Sequence, residues 1–290
     1  MTKVLKQAPI AKYSRIIAVG GVRGENTVPN SEIVEAIDSS DEWIQSRTGI
    51  KTRARARADE DVLGLATAAA LDVIAKSGID PAEIDTVILS TVTYFHQTPA
   101  GAAIVADRIG ANPAAAFDIS AACAGYCYGI GQADALVRAG TARNVLVIGA
   151  EKMSDFTDPT DRSISFILGD GAGAALVGAS DSPGIGPTVW GSDGSKAPLI
   201  AQTHAWSEYR EGNTEWPTLR QEGPSVFKWA VWGLAPIAQQ ALEAAGVTAE
   251  DIDVFIPHQA NARIIDQLAK QLKLPESVVI AKDIVETGNT

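Results

Sequence analysis

The chain holds two cysteines, Cys123 and Cys127, four residues apart in FDISAACAGYCYGI. An apolar strand-like run, Ala114 to Ile119, leads into small residues that open a helix. A cysteine at a helix N-terminus meets unpaired N–H groups and the positive end of the helix dipole, both of which favour a thiolate. That suits a nucleophile, with Ala121, Ala122, Ala124 and Gly125 leaving room for a substrate. A buried cysteine acting as a small apolar residue fits Cys123 equally well. For Cys127, one turn further along, packing is the better reading. His258, in FIPHQANAR, follows an apolar strand and precedes a helix, a favoured position for active-site residues. A lone histidine is more often a capping or packing residue. Asn289, in TGNT, suits turn chemistry as well as catalysis.

Other chemistries recede. A disulfide between helical neighbours four residues apart is geometrically poor, and two cysteines in 290 residues are no disulfide scaffold. His96, His204 and His258 form no metal-ligand spacing with the cysteines, so no metal is expected. Cys123, His258 and Asn289 also stand in papain-like order, with 135 residues from cysteine to histidine. The local signature C-G-[SA]-C-[WY] is absent, because AGYC follows Cys123. The alternation of helices and strands is also wrong for a papain-like peptidase.

That alternation is what positions the candidates. Residues 61–78 have helical periodicity and end in glycine, as expected at a helix stop. TVILSTVTY (86–94) and NVLVIGAE (144–151) read as strands. QTPAGAAIVADRIG and the segment from Ala124 to about Gly140 read as helices between them. The pattern implies a largely buried sheet with helices on both faces. A weak internal repeat adds to it: GIDPAEIDTVILS from Gly78 matches GVTAEDIDVFIPH from Gly246, each after an alanine-rich helix. By this repeat Cys123 and Asn289 occupy corresponding strand-to-helix corners, which can face one pocket. The first half continues past its corner through further strands, and an equivalent helix and two strands are missing after TGNT. The second half is therefore expected to be cut short.

A formal net charge of −11 argues against nucleic acid as a bulk partner. The densest basic run, KTRARARADED (51–61), reads as a solvated loop or strand edge for most of its arginines. No apolar run approaches the roughly 18–20 residues that cross a bilayer, and MTKVLKQAPIAKYSR shows no signal-peptide pattern. A cytoplasmic enzyme without membrane association is the expectation.

Taken together, DSSDEWIQSRTGI, DISAACAGY, DPTDRSISFILGDGAGAALV, VFKWAV, IPHQANARII and TGNT resemble β-ketoacyl-acyl carrier protein synthase III, and its actinobacterial members most. The likeness covers essentially the whole chain in the family's order. It implies a thiolase-like, five-layered αβαβα fold of two similar halves. Residues 1–180 would carry the nucleophile, and residues 181–290 the histidine and asparagine.

The resemblance implies a ping-pong condensing enzyme that starts fatty-acid synthesis. Cys123 takes an acyl group from acyl-CoA, while His258 and Asn289 stabilise the enolate formed from malonyl-acyl carrier protein. No metal or redox cofactor is implied. Trp43 and Arg162 match the residues that sandwich the CoA adenine, Arg47 and Thr48 those near the nucleotide and its phosphates, and Phe227 and Asn261 those lining the pantetheine tunnel. Lys228, Arg263 and Lys270 match basic positions for docking the acidic carrier protein. Thr98 stands where some members carry a phenylalanine that narrows the acyl pocket across a dimer interface, so longer or branched primers are expected. A homodimer is implied by the family alone. Two other readings stay open here: a polyketide priming ketosynthase of the same fold, and a non-catalytic truncated fragment that binds acyl-CoA.

Overall fold

The computed structural model describes residues 10–290, so most of the segment MTKVLKQAPIAKYSR read for a signal peptide lies outside the described residues. In chain order the elements begin with β1 (Tyr13–Arg23), β2 (Asn26–Pro29), α1 (Asp41–Thr48), β3 (Thr52–Arg55), α2 (Val62–Ser77) and β4 (Thr86–Ser90). Next come α3 (Gly101–Arg108), β5 (Ala115–Ile119), α4 (Gly125–Arg138), β6 (Asn144–Lys152), β7 (Asp170–Ser180), β8 (Ile200–Gln202) and α5 (Trp206–Arg210). The rest are β9 (Leu219–Gln221), α6 (Gly223–Ala245), β10 (Val254–Phe255), α7 (Ala262–Gln271), β11 (Val279–Ile280) and α8 (Ile284–Thr287). Two compact units result, each drawn from several stretches of sequence. The first takes residues 10–22, 60–151 and 171–186, and the second residues 23–59, 152–170 and 187–290.

The first unit is built on a five-stranded sheet in the order β1-β7-β6-β4-β5. β4 pairs in parallel with both β5 and β6, and all five of its residues are buried. The side-chain period of two divides this sheet cleanly. Val87, Leu89, Leu146, Ile148 and Leu176 face a core with α2 and α3, while Ile88, Val145, Val147 and Val177 face a second core with α4. A sheet covered on both faces is what the near-continuous apolar runs required.

α2 begins where the Asp61 carboxylate accepts from Gly64 N–H at 2.6 Å and ends at Gly78, whose φ is 69°. Its Ala66, Ala69 and Ala70 are fully buried, and their small side chains let the helix lie close to its neighbours. Two boundaries differ from the sequence reading. β4 stops at Ser90 rather than near Tyr94, because residues 91–93 turn to give hydrogen bonds to Glu151. α3 starts only at Gly101, after Pro99, where the Asp118 carboxylate accepts from the N–H groups of Gly101 and Ala102 at 2.7 and 2.8 Å.

The second unit repeats part of this plan. α6 ends at Gly246 with φ 71°, as α2 ends at Gly78. A 3-10 turn follows at Ala249–Asp251, matching Pro81–Glu83, and β10 then pairs in parallel with β11 as β4 does with β5. The repeat read from sequence is therefore structural. The copies differ in cover: Val254, Ile256 and Val279 are 51, 75 and 64% exposed, whereas β4 is wholly buried. Ile264, Ile265, Leu268 and Ala269 form the buried stripe of α7. Ile264 and Leu268 pack with Ala230 and Ala235 of α6, and Ile265 packs with Ile44, Phe166 and Ile284.

The basic run requires a correction. β3 pairs antiparallel with β2, and Arg53 has no exposed surface. Its guanidinium donates to Val28 O at 2.9 Å, to Phe166 O at 3.2 Å and to Asn30 Oδ1. Burial lowers its pKa to about 10. The Arg55 side chain, 19% exposed, lies 3.7 Å from the buried Asp170. Only Arg57 behaves as expected, half exposed and paired with Glu25 and Asp59. Carbonyls and carboxylates far away in sequence turned two apparent surface charges into interior ones. Among the described residues no helix is long and apolar enough to cross a membrane.

Candidate active site

Cys123 lies in the first unit, in a 3-10 turn (Ala122–Ala124) between the end of β5 and the start of α4. The turn is strained: Ala122, a residue with a Cβ, has φ 45°. Such conformations concentrate at functional positions, where surrounding structure over-determines them. Nothing in the neighbouring residues signals this. Gly125 is required here, because a Cβ would collide with Ser90 Oγ. The end of β4 thus presses against the turn that presents the thiol. Neither Cys123 nor Cys127 is in a disulfide, and both are exposed as residues. Burial of its sulfur still raises the thiol pKa of Cys127, although part of that residue meets solvent.

Thr98 is exposed and lies in the connection between β4 and α3. That connection carries a feature the sequence analysis missed. The Glu151 carboxylate, at the end of β6, accepts from Val92 N–H at 2.9 Å, Thr93 Oγ1 at 2.6 Å and Thr91 Oγ1 at 3.2 Å. Burial pushes its pKa up to about 7 against the opposing effect of those donors. Glu151 sits in the final turnward residues of an apolar strand, and nothing local in the sequence marks it.

The remaining candidates all lie in the second unit. His258 is exposed at the corner between β10 and α7. Asn289 is partly buried just after α8, and its backbone is held on both sides: Asn289 N–H donates to Ile167 O at 2.8 Å, and Gly169 N–H donates to Asn289 O at 2.7 Å. Gly288 permits this approach, with φ 71° and ψ −176°. Two further distances link the histidine loop to the asparagine arm. Gln259 Nε2 donates to Ala281 O at 3.2 Å, and Ile284 N–H donates to Gln259 Oε1 at 3.2 Å.

Trp43 packs its edge against Phe166, with ring centroids 5.2 Å apart. The guanidinium of Arg162 lies 5.0 Å from the Trp43 ring centre, and that of Arg47 5.7 Å. Arg162, from a distant part of the chain, thus joins Trp43 and Arg47 of α1 in a cation–aromatic–cation cluster. Thr48 is buried beneath it, its hydroxyl donating to Ile44 O at 2.8 Å and accepting from Ile50 N–H at 3.2 Å. Asn261 caps α7 by accepting from Arg263 N–H, and its Nδ2 donates to Arg47 O at 3.1 Å. Arg263 in turn lies 5.2 Å above the ring of Phe227. Lys228, Arg263 and Lys270 are exposed on α6 and α7, which pack together. Among the described residues no group of three or more His, Cys, Asp or Glu is placed to hold a metal ion.

Comparison with known proteins follows the same lines. Residues 117–194 match the family model for 3-oxoacyl-[acyl-carrier-protein] synthase III, and residues 242–290 match its C-terminal counterpart. The chain is 56% identical to a β-ketoacyl-[acyl-carrier-protein] synthase III of Streptomyces glaucescens, over 100% of this chain and 87% of that protein. It is 52% identical to the enzyme of that name from Kocuria rhizophila, over 100% and 88%. Among solved structures, the priming β-ketosynthase of the R1128 polyketide pathway superposes with a TM-score of 0.96 at 45% identity, covering 98% of this chain and 86% of that one. The 3-oxoacyl-[acyl-carrier-protein] synthase III of Aquifex aeolicus gives 0.85 at 36%, covering 96% and 86%.

The expected truncation of the second half is not borne out. The alignments run over the whole of this chain and take in 87–88% of those two relatives. Asn289 of the TGNT segment forms a parallel bridge with Leu168. The fold is thiolase-like, with mixed helix and sheet, and the chain belongs to the β-ketoacyl-[acyl-carrier-protein] synthase III family.

Proposed function

We propose that this chain is the acyl-transferring enzyme that makes the first carbon–carbon bond of fatty-acid synthesis, in the cytoplasm. The observation that carries the reading is the 56% identity, over all of this chain, to a relative of that name. We read its halves as residues 1–180 and 181–290, within the family's five-layered arrangement.

The Cys123 thiolate attacks the carbonyl of an acyl-CoA. The tetrahedral adduct collapses with loss of the CoA thiolate and leaves a thioester on Cys123. Malonyl-acyl carrier protein then loses CO₂, and the electron pair of the broken bond becomes an enolate on its thioester. His258 and Asn289 donate hydrogen bonds to that oxygen as charge develops; a neutral imidazole and a primary amide both offer the N–H groups needed. The enolate carbon attacks the acyl group on Cys123 and expels the cysteine thiolate, giving the 3-ketoacyl product. This sequence calls for no metal or redox cofactor.

The Trp43 cluster suits a purine. An adenine between Trp43 and Arg162 needs contact on both faces at roughly 3.5 Å, so the pair, now 5.0 Å apart, opens to about 7 Å to admit it. Arg47 lies beside this cluster for the nucleotide, Thr48 supports it, and Phe227 and Asn261 line the pantetheine path. Lys228, Arg263 and Lys270 give a chain of net charge −11 a local basic surface for an acidic carrier protein. Thr98 leaves space for branched or longer primers. β5, the edge strand of its sheet with Phe117 36% exposed, supports pairing with a second copy in a homodimer.

The test is intact-protein mass spectrometry after incubation with acetyl-, isobutyryl- and isovaleryl-CoA, beside Cys123→Ala. One acyl adduct that disappears in the variant is the expected result; its absence in the unaltered chain overturns the reading. A second reading, a polyketide priming ketosynthase, is favoured by the TM-score of 0.96 with the R1128 enzyme. Turnover with a polyketide carrier protein in preference to the fatty-acid one would select it.

A further inference from the structure

The geometry points to Gln259 as a positioning residue that fixes His258 and Asn289 relative to each other, an inference that rests on the proposed condensing reaction. The two residues reach their places by different routes. His258 ends the segment after β10, while Asn289 ends an arm that leaves β11, passes through α8 and meets Leu168. One side of that arm is fastened by backbone contacts: Lys51 N–H donates to Val285 O at 2.8 Å, and Asn289 and Gly169 pair as described. Thr52 Oγ1 adds a bond to Glu286 O at 2.6 Å. These contacts set the arm against β3 and residues 167–169, and they leave its distance from His258 to other groups.

Gln259 supplies such a link. Its amide is used at both ends. Nε2 donates to Pro257 O at 2.9 Å, fixing the turn that holds His258, and to Ala281 O at 3.2 Å. Oε1 accepts from Ile284 N–H at 3.2 Å, at the first residue of α8. Ile284 N–H is one of the donors that a helix start leaves without an intrahelical acceptor, so Gln259 also caps the short helix that delivers Asn289. A side chain that both donates and accepts is needed, and among residues of this length only glutamine does so at neutral pH. Two hydrogen-bond donors that stabilise one developing oxyanion must converge on a single point, and a misplacement of about 1 Å costs roughly 100-fold in rate.

The consequence separates the two half-reactions. Acylation of Cys123 does not use the His258–Asn289 pair in this scheme, whereas decarboxylation and condensation do. Gln259→Glu keeps the shape and the bond from Ile284 N–H, but turns a carboxylate toward Pro257 O and Ala281 O. Gln259→Leu removes every polar contact at similar size and serves if the glutamate variant does not fold. Three quantities are measured on the full chain: the rate of the Cys123 adduct with acyl-CoA, the rate of 3-ketoacyl product with malonyl-acyl carrier protein, and amide exchange of residues 281–289 against α7.

The expected result is an adduct rate within about 2-fold of wild type, product formation down roughly 10- to 100-fold, and faster exchange confined to residues 281–289. Product formation at the wild-type rate overturns the inference. So does an equal fall in both half-reactions, which marks general damage. If the unaltered chain forms no adduct, the proposed function fails on its own account. Exchange then decides: acceleration at 281–289 in the variant upholds Gln259 as the tie between the two segments, and unchanged exchange overturns it.

Discussion

Replacing Gly288 by alanine is the sharpest test of how Asn289 is held. With φ 71° and ψ −176°, Gly288 occupies a region that is essentially closed to residues with a Cβ, at a cost of about 1–3 kcal/mol. The added Cβ would also stand 2.8 Å from Arg53 Cβ and 2.9 Å from Ile167 O. Arg53 is wholly buried and hydrogen-bonded on three sides, so it has little freedom to withdraw. Overpacking of this kind costs about 1–3 kcal/mol more, for a total of about 4 kcal/mol. Relief by backbone movement would break the 2.8 Å bond from Asn289 N–H to Ile167 O. The control is built into the repeat. Gly78 and Gly246 have φ of 69° and 71° with nothing within 4 Å of an added Cβ, and their ψ values of 14° and 29° are ordinary left-handed ones. Alanine there costs only about 1–2 kcal/mol. Urea unfolding followed by tryptophan fluorescence would rank the three variants, with condensation rate read at low temperature where all are folded. Gly288→Ala is expected to lose about 100-fold in condensation while Gly78→Ala and Gly246→Ala stay near wild type. Equal destabilisation of all three, or full condensation activity in Gly288→Ala, would refute the account of this corner.

Glu151→Gln tests the buried carboxyl of the β4–α3 connection. With a folded pKa of about 7 against an ordinary 4.5, the folded state holds a proton that the unfolded state releases, so stability falls as pH rises from 4.5 to 7 and is flat above. The shift corresponds to about 3 kcal/mol, trimmed toward about 2 because part of the residue meets solvent. The variant should therefore gain that much relative to wild type between pH 4.5 and pH 8 in denaturant midpoints; a pH-independent difference contradicts the burial argument. Trp43→Ala should raise the KM for acyl-CoA by about 5- to 150-fold, the equivalent of about 1–3 kcal/mol of base stacking, and an unchanged KM removes Trp43 from the nucleotide site. Thr98→Phe should shift primer use from isobutyryl- toward acetyl-CoA in competition experiments, and an unaltered ratio sinks the pocket assignment. Lys228→Glu should raise the KM for the carrier protein and flatten its salt dependence; identical salt profiles would move the docking surface elsewhere.

Much of the architecture was legible because it depends on local rules. Asp61 and Gly78 bound α2 through their own capping geometry. The apolar runs of β4 and β6 can only belong to a sheet covered on both faces, and the match between the Gly78 and Gly246 segments reappears as the same helix, turn and parallel strand. Cys123 and His258 each stand between a strand and a helix, as read from their flanking residues, whereas Asn289, expected at an equivalent corner, follows the short helix α8 and is bridged to Leu168. What escaped depends on partners distant in sequence. Nothing within KTRARARADED distinguishes Arg53 from Arg57. The first is interior because Val28, Asn30 and Phe166 supply acceptors, and the second is exposed beside Glu25 and Asp59. Glu151 reads as the polar end of a strand until residues 91–93 close over it and desolvation lifts its pKa. The strain at Ala122 and the bridging amide of Gln259 are likewise invisible in the residues themselves. Sequence determined which elements form and which residues they present, because backbone conformation answers to near neighbours. The tertiary structure decided which polar groups lost water and what they met instead, and the electrostatics of the site follow from that.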